Sequence, residues 1–284
     1  MQFLLPRGPL LYILKFCLSG GILASILLSF EIDTVKRMLG SLILPYFIIA
    51  TILMIIQIFI AAYRWKLILE IKAIDTSYYQ TVRLFWIGLL FSQFLPSNFG
   101  GDAVRIYYLS KLSDYVTNAM NSVFLDRVIG LLSLSILVLS TTTIIMIEAK
   151  SILVHFQTYF FVLLALCFLF LISMAIFQRY IHYTFSSRIL SFFHQFLIDL
   201  RQLILPSLFA LKIWVLSFCI HFITVLCMFV LTISLSIDIS PFHILWATPL
   251  ALLFSAVPIT ISGWGVREGL MVLSLGTVGI AYEA

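Results

Sequence analysis

The chain has 284 residues, of which 62% are hydrophobic and only 10% charged, with a mean hydropathy of +1.14. A soluble domain carries about 25% charged residues, so this chain has too little polar surface to coat a globule in water. The formal net charge of +5 fits Lys and Arg gathered in cytoplasmic loops rather than a nucleic-acid surface, and no nucleic-acid partner is expected.

Lipid offers no water to stray N–H and C=O groups, so membrane spans must be helices or a closed barrel. The apolar runs are long and do not alternate, which excludes a barrel. A span needs about 20 apolar residues, and the runs at 10–30, 41–62, 122–147, 156–177 and 213–235 all qualify. The first is too long for a signal-peptide core and lacks a small-x-small cleavage site, so it reads as a retained anchor. A sixth run, 242–261, is interrupted by prolines, with Pro241 before it and Pro249 and Pro258 inside it. Two stretches are shorter: 84–99, which Pro96 ends, and 269–284.

Charge placement decides how 84–99 is read. With the N-terminus and Arg7 in the cytoplasm, a full crossing at 84–99 would place Arg179, Arg188, Arg201 and Lys212 outside, against the positive-inside rule. An element that enters and leaves on one side keeps them inside. The expected fold is therefore an all-α polytopic membrane protein with about six to eight transmembrane helices, with re-entrant elements near 84–105 and 250–269. It reads as one membrane domain, 1–284, and the lack of targeting signals fits a bacterial cytoplasmic (inner) membrane. Between the later spans, Ile189, Phe193, Phe196, Leu200 and Leu203 recur at helical spacing. That pattern predicts an amphipathic helix over 187–205, lying at the cytoplasmic interface or serving as a dock for a partner.

Isolated polar residues inside the spans each have a plain reading. Cys17, Cys167, Cys219 and Cys227 lie in apolar stretches without metal-site spacing and are expected to be buried, inert thiols. Gln57 is expected to bond a neighbouring helix. His221 is read either as a proton relay or as a hydrogen-bonded helix contact. Asp126 and Arg127 open the 122–147 run, where they serve either a function or an interfacial anchor.

Two segments carry chemistry. Pro96-Ser97-Asn98-Phe99-Gly100-Gly101-Asp102-Ala103-Val104-Arg105 and Pro258-Ile259-Thr260-Ile261-Ser262-Gly263-Trp264-Gly265-Val266-Arg267-Glu268-Gly269 both run from a proline through a glycine turn into a helix start. Each places an Arg nine residues after its proline. Glycines permit sharp turns and close approach, a helix start offers free N–H groups to an anion, and Arg adds a fork suited to phosphate. Broken helices in corresponding positions point to a transporter's binding site. The alternative is that the glycines end apolar hairpins and the arginines snorkel to headgroups.

Together with Asp126-Arg127-Val128-Ile129-Gly130 and Tyr63-Arg64-Trp65, these two segments resemble the lysylphosphatidylglycerol synthase transmembrane family, also called flippase-like, along nearly the whole chain. The resemblance implies a polytopic inner-membrane protein that handles lipids; in the best-known members the domain moves an aminoacylated phospholipid between leaflets. The soluble aminoacyl-transferase domain of synthase members is absent from this sequence, so synthesis of the lipid is not expected. Asp126 stands where many relatives carry Glu, and the chain stops soon after Gly269 where relatives continue, which reads as a shortened form or a fragment.

The resulting expectation is a lipid transporter whose headgroup contacts come from Asn98, Gly100, Gly101, Asp102, Arg105, Asp126, Arg127, Gly263, Gly265, Arg267 and Glu268. Arg105 and Arg267 would pair with the phosphate of an anionic phospholipid or a polyprenyl-phosphate lipid. Asp102, Asp126 and Glu268 would balance them or meet a cationic headgroup. Competing readings are a membrane-embedded transferase and an accessory subunit of a separate synthase or transferase. The sequence carries no D-x-D-like cluster, H-E-x-x-H or Cys/His metal spacing, so no catalytic residue, metal or cofactor is expected.

Overall fold

A computed structural model of the chain describes residue 36 and residues 40–94, 99–112, 116–145, 188–256 and 264–277. Eight α-helices fall among the described residues: α1 Leu44–Ile71, α2 Tyr78–Phe94, α3 Gly100–Leu109, α4 Val116–Ile145, α5 Arg188–Ile204, α6 Leu208–Ser234, α7 Pro241–Ser255 and α8 Val266–Thr277. Three of them, α1, α4 and α6, are long and apolar enough to cross a membrane. At 1.5 Å per residue they run about 40–45 Å, beyond the roughly 30 Å of hydrocarbon. The spans expected at 10–30 and 156–177 lie outside the described residues.

All three spanning helices extend past their apolar runs. α1 continues nine residues beyond position 62, through Arg64, Lys66 and Glu70. α4 starts six residues before position 122 and takes in Thr117, Asn118 and Asn121. α6 starts five residues before 213. A charge or amide ends an apolar run without ending a helix, because the helix is held by its backbone bonds. The 242–261 run yields α7, only 15 residues long, with Pro241 in its first turn and Pro249 inside. The 84–99 stretch contributes the second half of α2, and α3 follows from Gly100.

Local chemistry sets the helix ends. Ser77 and Gln80 form a capping box before α2: Gln80 N–H donates to Ser77 Oγ at 3.2 Å and Ser77 N–H to Gln80 Oε1 at 2.9 Å. Ser207 Oγ accepts the Ala210 N–H at the start of α6. α1 and α6 close through left-handed residues that are not glycine, Ala73 at φ 50° and Ser236 at φ 57°. Behind each, paired N–H bonds return to the last turn, Ile74 to Leu69 and Ala73 to Glu70 in the first case, Ile237 to Thr232 and Ser236 to Ile233 in the second, as in a Schellman cap.

The chain divides into two compact units, one of residues 1–51, 87–104 and 225–284, the other of residues 52–86 and 105–224. In the second unit, Trp65, Ile68, Leu69, Leu109, Leu125, Ile129, Leu200, Leu203 and Ile213 form a core with no exposed surface. Gln57 Nε2 donates to Thr224 Oγ1 at 2.8 Å, the interhelical bond expected of it. The amphipathic helix forms as α5, with Leu200 and Leu203 in this core and Phe196 packed against it, while Phe193 is exposed. In the first unit α7 packs on α8, and Ile244, Trp246, Ala247 and Leu250 are fully buried. There Ile43 N–H bonds Ser234 O at 2.8 Å, and Cys227 Sγ lies 3.4 Å from Ala50 O. Cys227 is buried as expected, but Cys219 is exposed; on a spanning helix an apolar side chain is stable facing lipid and needs no protein cover. Cys17 and Cys167 lie outside the described residues. α1 exposes Leu44, Ile48, Ile52, Ile55 and Phe59, an apolar strip that only lipid or another apolar surface would cover.

Candidate functional site

Two arginines of the second unit converge on Asp126. Because α4 begins at Val116, Asp126 lies ten residues into it, about 15 Å from its start. Its carboxylate is 3% exposed and receives two arginines. Arg64, from the last two turns of α1, approaches Oδ1 with Nη2 at 2.9 Å and Nε at 3.0 Å. Arg64 Nη1 also donates to Ser217 Oγ of α6 at 3.1 Å. Arg105, from α3, reaches Oδ2 with Nη2 at 3.2 Å. Each oxygen is thus assigned to one guanidinium.

Aromatic rings complete the Arg105 environment. Its Cζ sits 3.9 Å from the centroid of the Trp65 ring and 4.7 Å from that of Phe85, inside cation–π range. Trp65 is adjacent to Arg64, so one turn of α1 delivers an arginine to the carboxylate and an aromatic face to the second arginine. Arg127, next to Asp126, is exposed, because consecutive helix positions point about 100° apart.

Two further polar contacts flank this cluster. His221 Nε2 lies 3.0 Å from Gly130 O and 3.1 Å from Ser133 Oγ. A carbonyl only accepts, so the first bond requires the proton on Nε2, and the residue is a contact between α6 and α4. Lys72 Nζ pairs with Asp199 Oδ2 at 2.6 Å, both side chains buried. Gln195 Nε2 donates to the other oxygen at 3.0 Å. That pair fastens α5 to the end of α1.

The glycine segments are placed as follows. Gly100, Gly101 and Asp102 form the first turn of α3, with Gly101 and Asp102 buried. A Cβ on Gly101 would collide with the Gly88 carbonyl and Ser92 Cβ of α2, so its lack of a side chain lets two helix backbones approach. Gly265, at φ 81°, precedes α8, and its N–H donates to Glu268 Oε2 at 2.8 Å. The same carboxylate takes Arg267 Nη2 at 2.6 Å, in a pair whose arginine side chain is 53% exposed. Asn98 and Gly263 lie outside the described residues. The structure therefore brings Arg105 and Asp126 into one cluster and pairs Arg267 with its neighbour Glu268. Sequence reasoning overlooked Arg64 as a site residue, treating it as a charge beyond a span. The usable signal was the Arg64-Trp65 pair at the end of an apolar run, together with a lone acidic residue within another.

Apolar helices of spanning length, with ionised side chains paired inside them, define an α-helical integral membrane protein. A family model described as the lysylphosphatidylglycerol synthase TM region matches residues 12–284, and the chain belongs to that family. A UPF0104 membrane protein of Methanocaldococcus jannaschii is 30% identical over 131 residues, 45% of this chain and 38% of that protein. The match thus spans well under half of that relative's length. No solved structure matches the chain.

Proposed function

We propose that this protein is a lipid transporter of the flippase type, binding the phosphate-bearing headgroup of a phospholipid or polyprenyl-phosphate lipid and moving it between leaflets. The observation that carries this reading is the Arg64–Asp126–Arg105 cluster on a membrane-spanning helix. Ionisable groups inside a span are costly and are found on substrate pathways. A structural role alone is served as well by apolar packing. An anionic headgroup that takes the place of one carboxylate oxygen exchanges one ion pair for another, so it is admitted without stranding a buried charge. Arg105 is the residue assigned to the phosphate, since it stands on the helix that the Gly100–Gly101 turn begins. Arg267, on the second glycine segment, is an exposed cation assigned a headgroup contact of its own. The same proposal takes the membrane to be a bacterial cytoplasmic one with the N-terminus inside, and keeps the expectation of re-entrant elements near 84–105 and 250–269.

Native mass spectrometry of the purified protein with its co-purifying lipids tests this, using wild type, Arg105→Gln and Arg267→Ala. Enrichment of one anionic or polyprenyl lipid in wild type, lost from both folded variants, is the expected result. Equal, unselective lipid retention by all three proteins would refute the headgroup assignment.

A further inference from the structure

The Arg64–Asp126–Arg105 cluster meets the three spanning helices far from their middles. Arg64 stands 20 residues from the start of α1, and Asp126 stands 19 residues from the end of α4. Ser217, which Arg64 also bonds, stands 17 residues from the end of α6. At 1.5 Å per residue these stretches are about 30, 28 and 26 Å long, close to the whole roughly 30 Å of hydrocarbon. Apart from Arg127 beside Asp126, they carry no further Asp, Glu, Lys or Arg. On the other side of the cluster the same helices run on for only 7, 10 and 9 residues, about 10–15 Å.

The outward face of α1 changes character at the same level. Ile48, Ile52, Ile55 and Phe59 are exposed at helical spacing. The same face continues with Tyr63 and then with Lys66 and Glu70, an ion pair at 2.8 Å. Tyr63 meets Tyr78 edge-on, with ring centroids 5.9 Å apart, and the Tyr78 hydroxyl donates to Phe59 O at 3.0 Å. Aromatic rings with a polar tip collect where hydrocarbon gives way to headgroups, and Tyr63 is the residue before Arg64. Exposed side chains on α4 pass from Thr117 and Arg127 to Ile136 and Ser140. On α6 they pass from Lys212 to Val215, Phe222 and Leu226. A cluster at the bilayer midplane would carry Lys66 and Glu70 into lipid, where charged side chains are strongly disfavoured.

We propose that the cluster lies at one hydrocarbon boundary, level with the headgroups of the leaflet where α1 ends and α4 and α6 begin. It takes its headgroup from a lipid still standing in that leaflet. The site is then a point of entry, unlike the midplane sites of many secondary transporters. Arg64, Arg105 and Asp126 are buried by protein packing, not by depth in the bilayer. The depth follows from the helices alone; that the occupant is an anionic headgroup rests on the function proposed above.

Depth is read by cysteine labelling of the full chain in nanodiscs of phosphatidylglycerol and phosphatidylcholine, which leave both faces open to an impermeant maleimide. The four native cysteines are replaced by alanine. Single cysteines are then introduced by Ile48→Cys, Ile55→Cys, Phe59→Cys, Lys66→Cys and Glu70→Cys on α1, and by Thr117→Cys, Ile136→Cys and Ser140→Cys on α4. Variants that melt with their parent are scored against full labelling in SDS. Positions 66, 70 and 117 should label in the bilayer, and 48, 55, 59, 136 and 140 should not. Labelling at 55 and 59 would place the cluster in water, and protection at 66 and 70 would place it within the hydrocarbon; either result overturns the proposal. The lipid is followed with phosphatidylglycerol carrying a diazirine at the top of one acyl chain or at its terminal carbon. The first probe should form adducts around residue 105 that Arg105→Gln removes without changing the cysteine profile. Adducts there from the terminal probe instead would show that the headgroup leaves its leaflet to bind, against the proposal. Adducts indifferent to Arg105→Gln would overturn the headgroup assignment, while the cysteine profile still decides the depth.

Discussion

Asp126→Asn keeps the shape of the side chain and one acceptor oxygen while removing the charge that two arginines share. Arg64 and Arg105 are 7% and 5% exposed, so neither regains water when the carboxylate is neutralised. At these separations each ion pair is worth about 5–6 kcal/mol at an effective dielectric of 20, before desolvation and the repulsion between the guanidiniums are set against it. Stranding one buried charge costs about 3–5 kcal/mol in measured cases, and here two cations depend on one anion. For a chain of this size about 2–4 °C accompanies each kcal/mol, which predicts a melting temperature lowered by roughly 6–20 °C. Thermal unfolding of the detergent-solubilised protein, followed by tryptophan fluorescence, measures the shift. In the double variant Asp126→Asn/Arg105→Gln the two losses should not add, with a coupling above about 1 kcal/mol. A single variant that melts within about 2 °C of wild type would refute the claim that this carboxylate holds the cluster together.

Gly101→Ala should destabilise by about 1–3 kcal/mol through the collision with α2, whereas Gly269→Ala, with open space around it, should gain about 0.5–1 kcal/mol from helix propensity; paired melting curves decide both signs. Lys72→Met leaves Asp199 buried without its cation and should cost about 3–5 kcal/mol, while Lys72→Met/Asp199→Leu should recover most of it. Protease cleavage within α5 should rise in the single variant and fall back in the double. Ala73→Gly should raise stability by about 1 kcal/mol by relieving the left-handed conformation, read as a higher melting temperature; a lower one would show that the Ala73 methyl makes a compensating contact.

The long apolar helices were legible because their signal is compositional and needs no partner to interpret. Gln57 and His221 were legible for a related reason: a polar side chain in a span must be satisfied, and each is bonded to a neighbouring helix. The ends of α1 and α4 were not, since a hydropathy window stops at Arg64 and at Asn121 whether or not those side chains are satisfied. What satisfies Arg64 lies 62 residues away, and no local spacing encodes such a pairing. The same holds for the Lys72–Asp199 pair, separated by 127 residues. The glycine segments show the reverse. Their pattern was visible, and the structure adds that Gly101 serves a close helix contact and that Glu268 bonds the turn ahead of α8.

The spacing of the cluster bears on how the protein is made. Arg64 leaves the ribosome 62 residues before Asp126, an interval of about 3–12 s at ordinary elongation rates of roughly 5–20 residues per second. During that time α1 has an arginine in its last third and no carboxylate to neutralise it; at the centre of a span such a charge costs about 2.5–3.5 kcal/mol on insertion scales, and less towards an end. The end of α1 that carries Arg64 is therefore most stable at the membrane surface, or beside the insertion machinery, until α4 is synthesised. Variants at Asp126 would then lower the yield of correctly inserted chains, a defect that arises before there is a folded state to melt.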